Sequence, residues 1–93
     1  MVERQATIAS KVGLHARPAA IFTEAAQDLD FEVTIAAEGE PADEALDASS
    51  ILSIMGLGAE QGDVVVLRAE DGPGVAEGLD SLVAILETDH DAE

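Results

Sequence analysis

A histidine followed two residues later by an arginine, where a loop gives way to a helical pattern, carries the clearest chemistry in this chain. The segment Gly13-Leu14-His15-Ala16-Arg17-Pro18-Ala19-Ala20 contains both. The first amides of a helix have no intrahelical acceptor, and the helix dipole places partial positive charge there. Such a terminus binds anions, phosphate above all. Arg17 adds a fixed charge and a fork of donors matched to phosphate oxygens. These positive neighbours disfavour the imidazolium form of His15. A neutral ring near pH 7 has one nitrogen free to attack, and nucleophilic histidine is an established covalent device. The phosphohistidine so formed would set its new negative charge on the amides of the helix start and on Arg17. Pro18 fixes the first turn, where a missing N–H costs nothing. Ala16, Ala19 and Ala20 keep the surroundings small and open to a partner. A lone His-x-Arg reads as a helix cap beside a solvated side chain; the complete segment argues for chemistry.

These residues need a scaffold, and the pattern of apolar positions supplies one. Residues 2–9 alternate, with Val2, Arg4, Ala6 and Ile8 on one face, which predicts a strand. A helix is predicted from Ala16 to about Leu29, striped by Ala19, Phe22, Ala26 and Leu29. Residues 31–37 alternate again, with Phe31, Val33, Ile35 and Ala37 facing one way. Glu38-Gly39-Glu40-Pro41 signals a turn, and the stretch to Ser49 reads as either a short edge strand or a loop. Ser50 to about Met55 reads as a short helix ended by Gly56 or Gly58. Its Ile51, Leu52, Ile54 and Met55 are too dense to face inward together, so some must be exposed. Residues 63–70 form a strand with Val65, Leu67 and Ala69 on the core face. After a turn at Asp71-Gly72-Pro73-Gly74, residues 75–87 form a helix striped by Val75, Leu79, Leu82 and Leu86. The tail from Thr88 is polar, and its His90 reads as solvated, with too few companions to bind metal. The order β-α-β-(β)-α-β-α predicts an α+β fold, a mostly antiparallel sheet with helices packed on one face.

Composition bounds the function. The chain has 93 residues, which predicts one domain spanning 1–93. Acidic residues number 20 against 4 Lys and Arg, for a formal charge of −16. A field this negative repels phosphate backbones, so nucleic acid is excluded as a partner. Apolar residues make up 47% of the chain, too many for a disordered acidic tail. No apolar run approaches the roughly 20 residues of a membrane helix, and the N-terminus lacks a signal-peptide pattern. The absence of cysteine excludes disulfides and thiolate metal sites. The carboxylate excess is spread along the chain, and self-repulsion at low salt destabilises a compact state. At molar salt the Debye length is about 3 Å and that repulsion is screened. The composition therefore predicts a cytoplasmic protein adapted to high salt. Its core of small side chains, with Phe22 and Phe31 the aromatic members, predicts marginal, salt-dependent stability.

With these residues in view, GLHARPAA resembles the active-site signature of the HPr family, the histidine-containing phosphocarriers of the phosphoenolpyruvate:sugar phosphotransferase system. The resemblance extends over essentially the whole chain. SSILSIMGLGAEQGDVVVLRAEDG, from Ser49 to Gly72, is similar to that family's second-helix and fourth-strand region. The resemblance implies an open-faced β-sandwich, four antiparallel strands covered on one face by three helices. It implies a phosphocarrier, not an enzyme with its own turnover and with no cofactor or metal. His15 would accept phosphate on Nδ1 from phospho-Enzyme I and pass it to an EIIA-type domain for sugar uptake. Arg17 would contact the phosphoryl group, and the backbone amides of Ala16 and Arg17 would be the helix-start donors. Ala20, Ile51, Leu52 and Met55 would dock partners, and a monomer is the default for such a shuttle. Ser50 aligns with a serine that a kinase phosphorylates in some lineages, although its simpler role is an N-cap.

The sequence also departs from the family pattern. Ser49 stands where a basic residue is often found, and Ser53 replaces a glycine of the kinase-regulated forms. Residues 39–50 run longer than usual and carry Glu40, Asp43, Glu44 and Asp47, which puts the third strand in doubt and implies an acidic surface loop. The basic residues around the family's docking face are largely missing. Docking would then rest on the apolar patch and require salt. Two other readings remain open at this point: a carrier serving a dihydroxyacetone kinase or a regulator, and a non-transferring α+β regulatory module.

Overall fold

Strands with one apolar face and helices with one apolar stripe are stable only when they cover each other. The structure, a computed structural model, describes residues 1–9, 16–40 and 42–88. In chain order these form β1 (Val2–Thr7), α1 (Ala16–Gln27), β2 (Thr34–Ala37), a 3-10 turn (Ala42–Glu44), β3 (Leu46–Asp47), α2 (Ile51–Gly56), β4 (Val64–Ala69) and α3 (Val75–Leu86). The four strands make one antiparallel sheet in the order β1-β4-β2-β3.

The register decides which face is covered. Ala6 pairs with Val65 and Val65 with Ala37, while Arg4 pairs with Leu67 and Leu67 with Ile35. Ala6, Ile35, Val65 and Leu67 point to one face and join a single core with Ala19 and Phe22 of α1, Ile54 of α2, and Leu79 and Leu82 of α3. All three helices therefore cover the same face, giving the open-faced α+β architecture expected from the sequence. Complete burial of a side chain such as Phe22, Leu67 or Leu79 stabilises the fold by about 1.5–3 kcal/mol each.

Several elements differ from their expected bounds. β2 begins at Thr34, not at residue 31. The register would set Val33 opposite Ala69, the last residue of β4, so residues 31 and 32 lie beyond the reach of that neighbour. The Val33 carbonyl instead accepts from the Ala48 N–H at 3.0 Å. That bond, with the Thr34–Asp47 and Ile35–Leu46 pairs, resolves the acidic stretch into a two-residue strand preceded by a 3-10 turn. Alternation also misses Ala36. It pairs with Val66 on the helix-free face, and both are nonetheless buried, at 2% and 5% exposure. β1 and α1 end two residues earlier than their apolar patterns, since Ile8 and Leu29 pack on the core from the loops that follow.

One close approach fixes where α3 sits. A Cβ at Gly78 would lie 2.6 Å from the ring tip of Phe31 and 3.2 Å from a methyl of Leu29. Glycine lets the helix ride directly on these side chains, so that Phe31 serves as a prop for α3 instead of a strand residue.

Charges are arranged more loosely. Arg4 Nε donates to Asp80 Oδ1 at 2.9 Å, tying β1 to α3, and Arg68 Nε donates to Glu3 Oε2 at 2.7 Å across β1 and β4. The exposed Glu40 and Glu44 face each other in the acidic segment. A shared hydrogen bond and their mutual repulsion hold the Glu40 carboxyl above the ordinary carboxylate range. A carboxyl with a raised folded-state pKa binds its proton more tightly in the fold. The stability it lends is present at low pH and is lost as pH rises through that pKa.

Two outcomes follow for stability. Gly78→Ala should destabilise the fold in urea denaturation, even though alanine is intrinsically better in a helix by about 1 kcal/mol, because overpacking costs about 1–3 kcal/mol. Phe31→Leu, which removes the ring tip, should cancel that loss in the double variant; a stabilising single variant would show that the ring yields freely. Glu40→Gln should raise the melting temperature near neutral pH in low salt, with the gain shrinking in molar salt and as pH falls through the carboxylate range. A salt-independent gain would exclude Glu44 repulsion as its cause.

Candidate functional site

α1 begins at Ala16, the residue at which the sequence pattern places the change from loop to helix. The backbone amides of Ala16 and Arg17 thus fall in the first turn, where the helix offers no acceptor. Pro18 brings no N–H and removes one of the unpaired donors. It is buried, as are Ala19 and Phe22 beyond it, so this end of α1 is held against the core. Arg17, between Ala16 and Pro18, is exposed.

His15 lies outside the described residues, together with residues 10–14, and so does His90. The described residues that flank this segment are anchored on both sides. On its N-terminal side, the Ile8 N–H donates to the Asp63 carbonyl at 2.9 Å and the Ala9 N–H to the Leu86 carbonyl at 3.0 Å. Gln61 Nε2 donates to the Ala9 carbonyl at 3.1 Å. On its C-terminal side stands α1, whose Pro18 and Ala19 are buried. The histidine's covalent neighbour is therefore the first residue of a helix anchored in the core.

The distribution of cations singles out Arg17. Arg4, Arg17 and Arg68 are the basic side chains within the described residues. Arg4 and Arg68 are engaged in ion pairs on the body of the sheet, whereas Arg17 makes no ion pair with any described residue.

α2 packs against α1. Ser50 is its N-cap, with φ −101° and ψ 115°, and its Oγ accepts from the Ser53 N–H at 3.4 Å. The cap is preceded by a tight turn. Asp47 Oδ1 accepts from both the backbone N–H of Ser49, at 2.9 Å, and its hydroxyl, at 2.7 Å. These bonds hold the Asp47 carboxyl below the usual carboxylate range. Gln27 Nε2, at the end of α1, donates to the Ser49 carbonyl at 2.9 Å and links the two helices. Within α2, Ile54 is completely buried, while Ile51, Leu52 and Met55 are 40%, 81% and 41% exposed. Ala20 is half-buried on α1. A six-residue helix with one buried anchor leaves an apolar surface facing solvent.

The structure thus brings an exposed guanidinium, without an ion pair among the described residues, and a helix start to one end of α1, with an apolar helix packed against the same helix. Such a constellation can hold a phosphoryl group and seat an apolar partner surface. Among the described residues no cluster of His, Cys, Asp or Glu is arranged to bind a metal, and no helix is long and apolar enough to cross a membrane. Sequence reasoning missed Gln27, Asp47 and Ser49, which set the position of α2. A signal for two of them was present, since Asp-Ala-Ser-Ser before an apolar run is a turn followed by a cap. Nothing in the local pattern marked Gln27.

Comparison with known proteins agrees with this geometry. A family model described as the PTS HPr component phosphorylation site matches residues 2–88. The phosphocarrier protein HPr of Streptomyces coelicolor is 41% identical over 87 residues, covering 92% of this chain and 88% of that one. That of Haloferax volcanii is 39% identical over 87 residues, covering 94% of each. The crystal structure of HPr-C-His from Thermoanaerobacter tengcongensis superposes with a TM-score of 0.82 at 38% identity, covering 100% of this chain and 99% of that one.

The capping role of Ser50 has a direct test. Ser50→Ala should cost about 0.5–1 kcal/mol in urea denaturation, the low end of the capping range because the bond is long. Ser50→Asp should retain the stability, since aspartate caps equally well; a destabilised Ser50→Asp would show that α2 rejects charge at this end.

Proposed function

The chain belongs to the HPr family of phosphocarrier proteins, and on that premise we propose that His15 is the residue that carries the phosphoryl group. A carrier of this family forms a phosphohistidine and hands it on; it has no turnover of its own. The observation that bears most weight is Arg17, an exposed cation without an ion pair among the described residues, on the first turn of a core-anchored helix directly after His15.

In the proposed transfer, a ring nitrogen of neutral His15 attacks the phosphorus of a donor phosphohistidine. The new N–P bond forms as the donor's N–P bond breaks; the other nitrogen of the His15 ring gives up its proton and the donor ring takes one up, so that the donor imidazole leaves neutral. The phosphoryl group keeps its charge throughout, about −1.5 to −2 near pH 7 by analogy with other phosphorylated side chains. The start of α1 offers about half a positive charge and Arg17 a whole one, enough to hold the group without trapping it. Membership of the family implies phosphotransferase-system partners, and we assign the donor to Enzyme I and the acceptor to an EIIA-type domain.

Both partners would dock on the exposed Ile51, Leu52 and Met55 with Ala20 at the margin, a surface whose strength does not depend on opposite charge. The formal charge of −16 supports work at high salt, in a cytoplasm where such a carrier and its partners are screened from each other's fields. We read residues 1–93 as one domain acting as a monomer, with Ser50 a cap first and a modification site only where a dedicated kinase exists.

Incubation with phosphoenolpyruvate and the cognate Enzyme I in molar potassium chloride should add one acid-labile, base-stable phosphate, measured by intact mass. His15→Ala should abolish it while leaving the circular dichroism unchanged; a mutant that still takes the label removes His15 from its role. Arg17→Ala should slow transfer roughly tenfold or more, as expected for loss of a charge-assisted contact, with little change in melting temperature. Leu52→Asp should raise the KM for the carrier in the Enzyme I assay without changing stability, and an unaltered KM would move docking elsewhere.

A further inference from the structure

α2 is a short helix for one that presents an apolar surface. It has six residues and a single completely buried side chain, Ile54, and a helix of that length is not stable by itself in water. Ala48, completely buried, fixes the chain before it by donating its N–H to the Val33 carbonyl at 3.0 Å. Ser49 and Ser50 alone separate this anchor from the helix, and both are only half-buried. The direction in which α2 leaves β3 is therefore set at Ser49, and side chains set it. Asp47 Oδ1 accepts from the Ser49 N–H at 2.9 Å and from its hydroxyl at 2.7 Å. Gln27 Nε2, from the end of α1, donates to the Ser49 carbonyl at 2.9 Å. Every polar group of Ser49 is thus held by a side chain, and the two side chains come from different elements.

These three bonds are exposed to solvent. Removing an exposed hydrogen bond strands no buried group, so the network adds little to the stability of the fold. Its effect is on orientation. Ile51, Leu52 and Met55 follow directly after this point and are the exposed apolar side chains of α2. A surface that must be ordered as a partner arrives loses binding energy to that ordering, and a surface already held in place does not. On the reading of α2 as the docking surface, we propose that Asp47 and Gln27 are positioning residues for partner docking. They grip Ser49 so that α2 meets Enzyme I with Ile51, Leu52 and Met55 already in place. Neither residue takes part in the transfer itself, so KM and not kcat is the quantity they govern.

The test is steady-state phosphorylation of the full chain by Enzyme I in molar potassium chloride, with the carrier as the varied substrate. Asp47→Ala and Gln27→Ala should each raise KM about two- to tenfold, the equivalent of one hydrogen bond, at an unchanged kcat. Asp47→Asn removes the same charge as alanine but keeps an oxygen acceptor for Ser49, and should restore the wild-type KM. The Asp47→Ala/Gln27→Ala double variant should be less than additive, since both residues act through Ser49. In the free chain, Asp47→Ala should quicken hydrogen exchange at the Ile54 and Leu57 amides, which bond to the Ser50 and Ser53 carbonyls, by more than at the Val65 and Leu67 amides of β4. Exchange altered equally in α2 and β4 marks a purely structural role and overturns the proposal without any partner. An unchanged KM in Asp47→Ala beside a raised KM in Leu52→Asp also overturns it and leaves the docking surface standing. A KM that Leu52→Asp leaves unaltered as well removes the docking surface itself. An Asp47→Asn variant as impaired as Asp47→Ala assigns the effect to charge and overturns the proposal too.

Discussion

The seating of Ala19 and Phe22 on the sheet is the contact on which the rest depends. Both are completely buried, about one and two turns beyond the start of α1. Their burial fixes where the helix begins and which way its first amides point. It also fixes what is left outside. With Pro18 and Ala19 turned inward, Arg17 is on the exposed side of the same turn. An anion-binding helix start is useful for transfer only if it stays in place while the cargo comes and goes. Here the anchoring is done by apolar burial, which leaves Arg17 exposed.

Electrostatics makes that separation necessary. A chain with 20 acidic and 4 basic residues has few cations to distribute. Two of them, Arg4 and Arg68, are used where strands and helices of the body meet. An anionic cargo must be held against the field of the whole molecule, and over distances beyond a few ångströms only salt reduces that field. In the proposed transfer the helix dipole and Arg17 would act at contact distance, where screening is weak, and would therefore be effective in concentrated salt. Long-range attraction of the kind that steers charged partners is not effective there. The same reasoning explains why an apolar surface on α2 suits this chain: burial of Ile51, Leu52 and Met55 strengthens in salts that favour compaction, while ion pairs at a rim weaken.

Much of this was legible in the sequence, and the reasons differ from element to element. The stripe Val75, Leu79, Leu82, Leu86 and the alternation Val65, Leu67, Ala69 each have a single period and one buried face, and all seven residues are in the core. The excess of apolar residues at 51–55 foretold exposure, because four large side chains cannot share one narrow stripe. The segment 39–49 was not legible. Its strand is two residues long and is held by the Ala48–Val33 bond and the Asp47–Ser49 turn, long-range and side-chain contacts that leave no periodic trace. Phe31 was misplaced for a related reason. Alternation assigns it to β2, but its tertiary role is to fill the space left by Gly78, forty-odd residues away. The burial of Ala36 and Val66 on the open face was equally invisible, since small residues there read as exposed. At the site, His15 and Arg17 were marked by local chemistry, whereas the Gln27 link between the helices arises only from the packing of α1 on α2.

The length of α2 follows from these same constraints. A longer helix would bury a second turn against α1 and the sheet and leave less apolar surface outside. With six residues, a capped start, and a single buried anchor at Ile54, α2 has little packing energy of its own. Its position is instead imposed from its ends, by the Asp47–Ser49 turn and the Ser50 cap on one side and by the Gln27–Ser49 bond from α1. A helix held in this way can present Leu52 at 81% exposure without that residue being recruited into the core. Conversely, any change that loosens the Asp47 turn acts on the exposed surface before it acts on the fold. The Asp47 carboxyl, held below its ordinary range by Ser49, contributes stability at neutral pH that is lost as pH falls through its folded-state value. Protonation of Asp47 in acid therefore weakens the hydrogen bonds that it accepts from Ser49 at the start of α2.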